Sequence, residues 1–472
     1  MVANLSETDI RLLLTALGGV LLLVALIVSR VRLHPLLALL VVSLVVGFFA
    51  GMDITQITKV ILDGAGNTLG DVGVIVALGA MLGKILADAN VTETIASSIV
   101  QRSSDAALPW AMALAAFVVG IPMFFEVGLV VVLPLVFSVA HKLEIKGTTK
   151  GSTYVLLGVP VIAALASMHG MVPPHPGPLT AIATLKTSVA PTMLYGFIAA
   201  IPAIVLGGPV YARFIAPKMT VRPDQALLDQ FTGSSVHGEA SGMPAKAAPG
   251  LGMGLLAVLL PAILMLANTF GETLLPKGSF GAKITDFLGE PLVAMLVSVL
   301  FASTTLVYMR GGDTEKLRES LGASLKPIAG ILLIIAGGGA FKQVLVKAHV
   351  GDAIVHLTNH FALPPLVLGW VIAMLLSVAT GSATVGIVGA AGLLAPLAMS
   401  NPDLNLPLLA LSIGSGSLFF NYANHAGFWL VKESFGMTLT EATKTISVVQ
   451  SIVAVVGLIM VLLMNLFPAL QA

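Results

Sequence analysis

Apolar residues in this chain run in long unbroken stretches rather than at the spacing of a soluble amphipathic helix. Stretches of about 17–25 residues recur from one end to the other, each long enough to cross a bilayer as a helix. They lack the period-two alternation of a barrel strand, so an all-α polytopic membrane protein is expected. In the first half the expected spans are 12–29, 35–51, about 70–86, a broken span over about 152–190, and 193–210. An acidic outer loop with Asp53 and Asp63 precedes the third, and a polar interfacial helix over about 88–102 follows it. In the second half they are 251–268, 291–309, 327–346, a broken span over about 407–440, and 446–466. Two segments, about 109–140 and 364–399, have a different length. A straight helix over 109–140 would reach about 48 Å, against a hydrocarbon core of about 30 Å, while two full spans need about 40 residues. Each such segment fits a re-entrant hairpin. The first would have its tip at Gly120-Ile121-Pro122-Met123-Phe124-Phe125-Glu126-Val127-Gly128, the second at Thr380-Gly381-Ser382-Ala383-Thr384-Val385-Gly386.

Proline sets the breaks. His169 to Pro178 carries four prolines in ten residues, which no helix continues through. The chain resumes as a second half-helix, and a matching break falls near Asn421 to Gly427. The two halves share weak sequence symmetry. Leu86, Ala89 and Val91 meet Leu345, Ala348 and Val350 at an offset of 259; Glu126-Val127-Gly128 meets Thr384-Val385-Gly386 at 258; His175-Pro176-Gly177 meets His425-Ala426-Gly427 at 250. The organisation expected is a first repeat over 1–212, a polar cytoplasmic linker over 213–250, and a second repeat over 251–472. Each repeat holds five transmembrane helices and one re-entrant hairpin. Five is odd, so the second copy is inverted, and Arg310, Lys316, Arg318 and Lys326 place the loop after Met309 inside.

Composition sharpens this picture. Hydrophobic residues make up 57% of the 472 and charged residues 10%, against roughly 25% charged in soluble domains. The net charge of +1 gives no reason to expect a nucleic-acid partner. The absence of cysteine excludes a disulfide framework, a thiolate metal site and a cysteine nucleophile. Glu7 and Asp9 precede the first apolar run, and Arg30 and Arg32 follow it. That order is the reverse of a secretory leader, so a retained helix with its N-terminus outside is expected.

Inverted repeats with paired breaks point to a transporter site near the bilayer midplane. Four half-helices would begin there, after Glu126, Pro178, Thr384 and Gly427. Their N-termini carry partial positive charge and free N–H groups, which favours a small organic anion as cargo. Glu126 is a carboxylate in an otherwise apolar hairpin; such a residue is costly there and reads as functional, here as the proton-coupling group. The alternative is a neutral Glu bonding the hairpin backbone. His175 and His425 occupy matching positions in the two breaks and suit contact with a substrate hydroxyl or carboxylate. With them, Gly177 and Gly427 present backbone N–H groups, Ser382 and Thr384 present hydroxyls, and Asn421 and Asn424 present amides. Lys84 would either pair with substrate or snorkel to the cytoplasmic interface. One Glu and no Cys make a poor metal site, and no cofactor is expected. No HExxH or GxSxG signature is present, which leaves a membrane-embedded enzyme as a remote reading. A passive channel and sodium coupling stay open.

Three motifs carry a resemblance to a known family: Phe124-Phe125-Glu126-Val127-Gly128, Val172-Pro173-Pro174-His175-Pro176-Gly177-Pro178, and Ser417-Leu418-Phe419-Phe420-Asn421 with Ala426-Gly427-Phe428-Trp429-Leu430-Val431-Lys432-Glu433. On these the chain resembles the gluconate permease family of gluconate:proton symporters, across essentially its whole length. The family resembles a wider ion-transporter superfamily of homodimers with elevator motion and a hairpin-based site in each half. The resemblance therefore implies a multi-pass protein of the bacterial inner membrane that imports gluconate or a related sugar acid with a proton. The family pattern has Asn-Asp before Ala/Ser-Gly-Phe-Trp where this chain has Asn424-His425. That departure leaves the exact substrate open, D-serine and short hydroxy acids included.

Overall fold

The computed structural model describes residues 6–30, 32–147, 150–223, 249–276, 278–326, 328–350, 352, 353, 356, 364–422 and 425–467, and every regular element among them is a helix. Most of the linker expected at 213–250 lies outside these residues, as does Asn424. The helix ends follow local chemistry. Ser6 closes a capping box: its hydroxyl accepts from the Asp9 N–H at 3.0 Å, and the Asp9 carboxylate accepts from the Ser6 N–H at 2.9 Å, opening helix Glu7–Val28. The Asp53 carboxylate accepts from the Thr55 N–H at 2.9 Å and starts helix Ile54–Asp88.

That helix corrects the sequence reading. It has 35 residues, about 52 Å of rise, where an acidic loop and a span from about 70 were expected. Asp63 lies inside it rather than in a loop. The helix continues because Ile57, Ile61, Gly64, Thr68 and Val72 form one buried stripe at helical spacing, whatever the polarity of the opposite face. The stripe packs on helix Ala329–Lys347. A Cβ on Gly64 would run into the Gly339 carbonyl, and one on Gly339 into the Gly64 carbonyl and the Thr68 hydroxyl. The two backbones therefore cross at contact distance, as glycine pairs allow in membrane helices. In the second half the corresponding stretch is divided into Thr314–Leu325 and Ala329–Lys347, and Pro327 stands between them in the sequence.

Two helix pairs fall where hairpins were expected. Leu108–Gly120 and Phe125–Lys146 are joined through 121–124. Pro365–Thr380 and Ala383–Ser400 are joined through Gly381-Ser382, where Gly381 takes a φ of +71° that suits glycine. The broken spans are Thr153–Met171 with Pro176–Leu185, and Leu406–Gly416 with Ala426–Phe435. The first break is tighter than expected, because His169 remains helical and only 172–175 leave the helix. Nearly every residue of Thr153–Met171 is buried, so this helix is the central pillar.

The pillar crosses the second broken span just before both breaks. A Cβ on Gly414 would strike the Gly170 carbonyl, and one on Gly170 the Leu418 side chain. The halves also interlock. Ile387 of the second pair fills the space over Gly177, and Phe125 of the first pair lies against Gly427. Among the described residues ten helices are long and apolar enough to cross a membrane. The number equals the expected span count, but the membership differs. Phe125–Lys146 and Ala383–Ser400 qualify by length, while Pro35–Phe49 and Leu406–Gly416 are shorter.

Candidate functional site

The first break is pinned to the tip of the first pair. His175 precedes Pro176, whose ring presets the first helical residue, so the imidazole stands at the mouth of Pro176–Leu185. Its Nε2–H donates to the Gly120 carbonyl at 2.9 Å, capping the end of Leu108–Gly120. The ring is buried between Phe124 at 6.2 Å and His169 at 5.8 Å, centroid to centroid. The Nδ1 atoms of His169 and His175 are buried with no hydrogen-bond partner among the described residues. Such atoms suit a ligand or an ordered water.

Glu126 stands in the first turn of Phe125–Lys146 and is half-buried. Its carboxylate is within electrostatic reach of His169 and of His425. His425 comes from the second break, where its Nδ1 accepts from the Gly427 N–H at 3.1 Å and caps Ala426–Phe435. A Cβ on Gly427 would meet Phe125 at 3.1 Å. One carboxylate and three imidazoles, drawn from both halves, thus lie near the contact between Phe125 and Gly427.

The other expected residues are placed less directly. Ser382 caps its helix, its hydroxyl accepting from the Val385 N–H at 3.3 Å. Thr384 is half-buried one turn before Ile387, which reaches Gly177. Asn421 is buried: its Oδ1 accepts from the Ser377 hydroxyl at 3.1 Å and its carbonyl from the Ser447 hydroxyl at 2.6 Å, while its Nδ2 has no partner among the described residues. It ties the second break to the second pair and to the last span. Lys84 pairs with Asp88 at 2.6 Å, one turn along its own helix, and so has a local partner.

His169 enters the cluster although the sequence put no weight on it; its signal was a second histidine six residues before His175 in the same break. Gln450 was also missed. It is a buried amide within an apolar span, and its Oε1 has no partner among the described residues.

Two broken helices crossing at glycines, two helix pairs at the breaks and apolar spans throughout define a polytopic helical membrane protein, and the family and relatives it matches are permeases and transporters. The structure is similar to that of the YdaH transporter of Alcanivorax borkumensis, with a TM-score of 0.61, 14% identity, and 93% of this chain and 100% of that one covered. It is also similar to MtrF of Neisseria gonorrhoeae, with a TM-score of 0.62 and 10% identity over 92% and 96%. These likenesses are of fold. Residues 10–467 match the GntP family permease family, and the chain belongs to that family. It is 40% identical to a gluconate permease of Pseudomonas aeruginosa over 97% of this chain and 98% of the relative. It is 38% identical to the high-affinity gluconate transporter of Escherichia coli over 96% and 99%, and 36% identical to the Gnt-II system L-idonate transporter of the same species over the same shares.

Proposed function

We propose that this protein is a symporter that brings gluconate or a related sugar acid across the bacterial inner membrane together with a proton. The observation that carries the reading is Glu126 within electrostatic reach of His169 and His425, next to the contact between Phe125 and Gly427 that joins elements of both halves. The N-termini and imidazoles offer donors to a carboxylate and to hydroxyls. An ionised Glu126 repels an anionic cargo in the same site. Cargo binding and protonation of Glu126 therefore favour one another, which is the thermodynamic requirement for symport. The names of the relatives, two for gluconate and one for L-idonate, support a sugar acid.

The proposal includes two inverted repeats, re-entrant pairs, both termini on the periplasmic side, and an elevator-type homodimer. Leu108–Gly120 supports re-entry: 13 residues rise about 20 Å, short of a hydrocarbon core of about 30 Å. Phe125–Lys146 turns polar from His141 on, which suits a C-terminal end outside the hydrocarbon. The deciding experiment is uptake of labelled gluconate into proteoliposomes under an imposed pH gradient, with and without sodium. Competitors are other sugar acids, D-serine, short hydroxy acids and the neutral polyol analogue of gluconate. Sugar acids should compete far better than the polyol. A strict sodium requirement would end the proton reading, and preference for D-serine would reassign the cargo on the same scaffold, with His425 as the first residue to examine.

A further inference from the structure

Two cavities flank the crossing of Ile54–Asp88 with the helices at Thr314–Lys347, and the internal repeat relates them. Gly83, Lys84 and Ala323 line a mostly apolar one of about 210 Å³ beside the first tip. Lys342, Gln343 and Gly64 line one of about 380 Å³, and each differs from its counterpart by the same 259 positions. The repeat therefore built the crevice twice, and the chain gathered several charges in only one of them, the first holding just Lys84, which is paired with Asp88. The larger cavity gathers Lys186, Lys342 and Lys347 against a single carboxylate, Asp71. Lys186 reaches it from the end of Pro176–Leu185, held at a φ of +54°. Among the described residues the half-buried Lys342 hydrogen-bonds to the Ala183 carbonyl, at 3.5 Å, and has Asp71 within electrostatic reach. None of the three lysines makes an ion pair with a carboxylate among the described residues. Lys186 and Lys347 are exposed, so only the half-buried Lys342 loses hydration, but the three ammonium groups repel one another across the crevice, a cost that an anion relieves. The volume is within the range of about 300–1,000 Å³ usual for small-molecule sites.

We propose that this cavity is a second anion-binding site, distinct from the Glu126 cluster, that takes a small organic carboxylate. That the occupant is the transported sugar acid rests on the reading above; that the cavity selects anions does not. On the proposed topology Lys186 and Lys347 both end helices at the periplasmic side, so the site is an outer vestibule that concentrates the cargo. The chain has no cysteine, so a single one at the exposed Asn67, which lines the cavity, reports on it alone. Asn67→Cys in proteoliposomes is reacted with anionic and with cationic methanethiosulfonates, each rate normalised to that on a free thiol. The anionic reagent is expected to react about tenfold faster or more. Lys342→Gln and Lys186→Gln each move the ratio toward one, and gluconate protects the thiol. Equal normalised rates overturn the site whatever the transported substrate is. Anion preference without protection, in protein that accumulates gluconate, overturns the cargo as occupant. Anion preference in protein that takes up no gluconate supports the site and ends the gluconate reading.

Discussion

His175→Ala separates a histidine that holds the site together from one that only lines it. The substitution removes the 2.9 Å hydrogen bond to the Gly120 carbonyl. That carbonyl ends its helix in a buried setting, and leaving such a group unpaired costs about 1–3 kcal/mol. It also empties the space between Phe124 and His169, and truncating a buried ring to alanine costs about 3–5 kcal/mol in all. The two estimates overlap, so about 3–5 kcal/mol is expected in total, a large share of an ordinary stability of about 5–15 kcal/mol. In thermal unfolding of the purified protein in detergent this corresponds to a fall in melting temperature of about 3–5 °C, since the unfolding entropy of 472 residues is about 1 kcal/mol per kelvin. His175→Gln keeps a donor within reach of the carbonyl and should recover most of the loss. His169→Ala should cost less than His175→Ala, because the ring it truncates is only half-buried and its Nδ1 gives up no hydrogen bond. A melting temperature for His175→Ala within about 1 °C of the parent would refute the argument that this bond pins the first break to the first tip.

Three further outcomes are expected. Glu126→Gln should abolish gluconate accumulation driven by a pH gradient while leaving exchange of internal for external substrate partly intact; for one proton per cycle a gradient of two pH units is worth about 2.7 kcal/mol, or about 100-fold accumulation, and full accumulation by the variant would remove Glu126 from coupling. Gly339→Ala should cost about 1–3 kcal/mol by overpacking the crossing with Gly64, whereas Gly322→Ala, with open space around its Cβ in a helix, should stabilise by about 0.5–1 kcal/mol; melting temperatures of the two variants check both. Glu7→Cys should react with an impermeant maleimide only from the periplasmic side in oriented vesicles, and labelling only from the cytoplasmic side would reverse the topology.

The sequence by itself determined what depends on near neighbours. Length of apolar run and proline at 173, 174, 176 and 178 made the helical class and the first break legible. Each of these acts through the chain within a turn or two. Glu126, His175 and His425 were likewise visible as polar groups where apolar ones were expected. Tertiary structure decided what depends on residues far apart in the chain. The Gly64–Gly339 and Gly170–Gly414 crossings are such cases, because a glycine permits close approach without naming its partner. So is the tie of His175 to Gly120, which turns a presumed ligand into a structural post through one nitrogen. The polar stretch around Asp63 and Asn67, before the expected span, shows the reason most plainly. Alone it reads as a loop, since an isolated helix with those residues has no apolar surroundings to favour it. In the fold its buried stripe lies on Ala329–Lys347, and Asn67 and Asp71 line the cavity that Lys186 and Lys342 complete from 115 and 271 positions beyond Asp71. Burial on one face and solvation on the other are properties of the assembled protein, and only assembly could supply them.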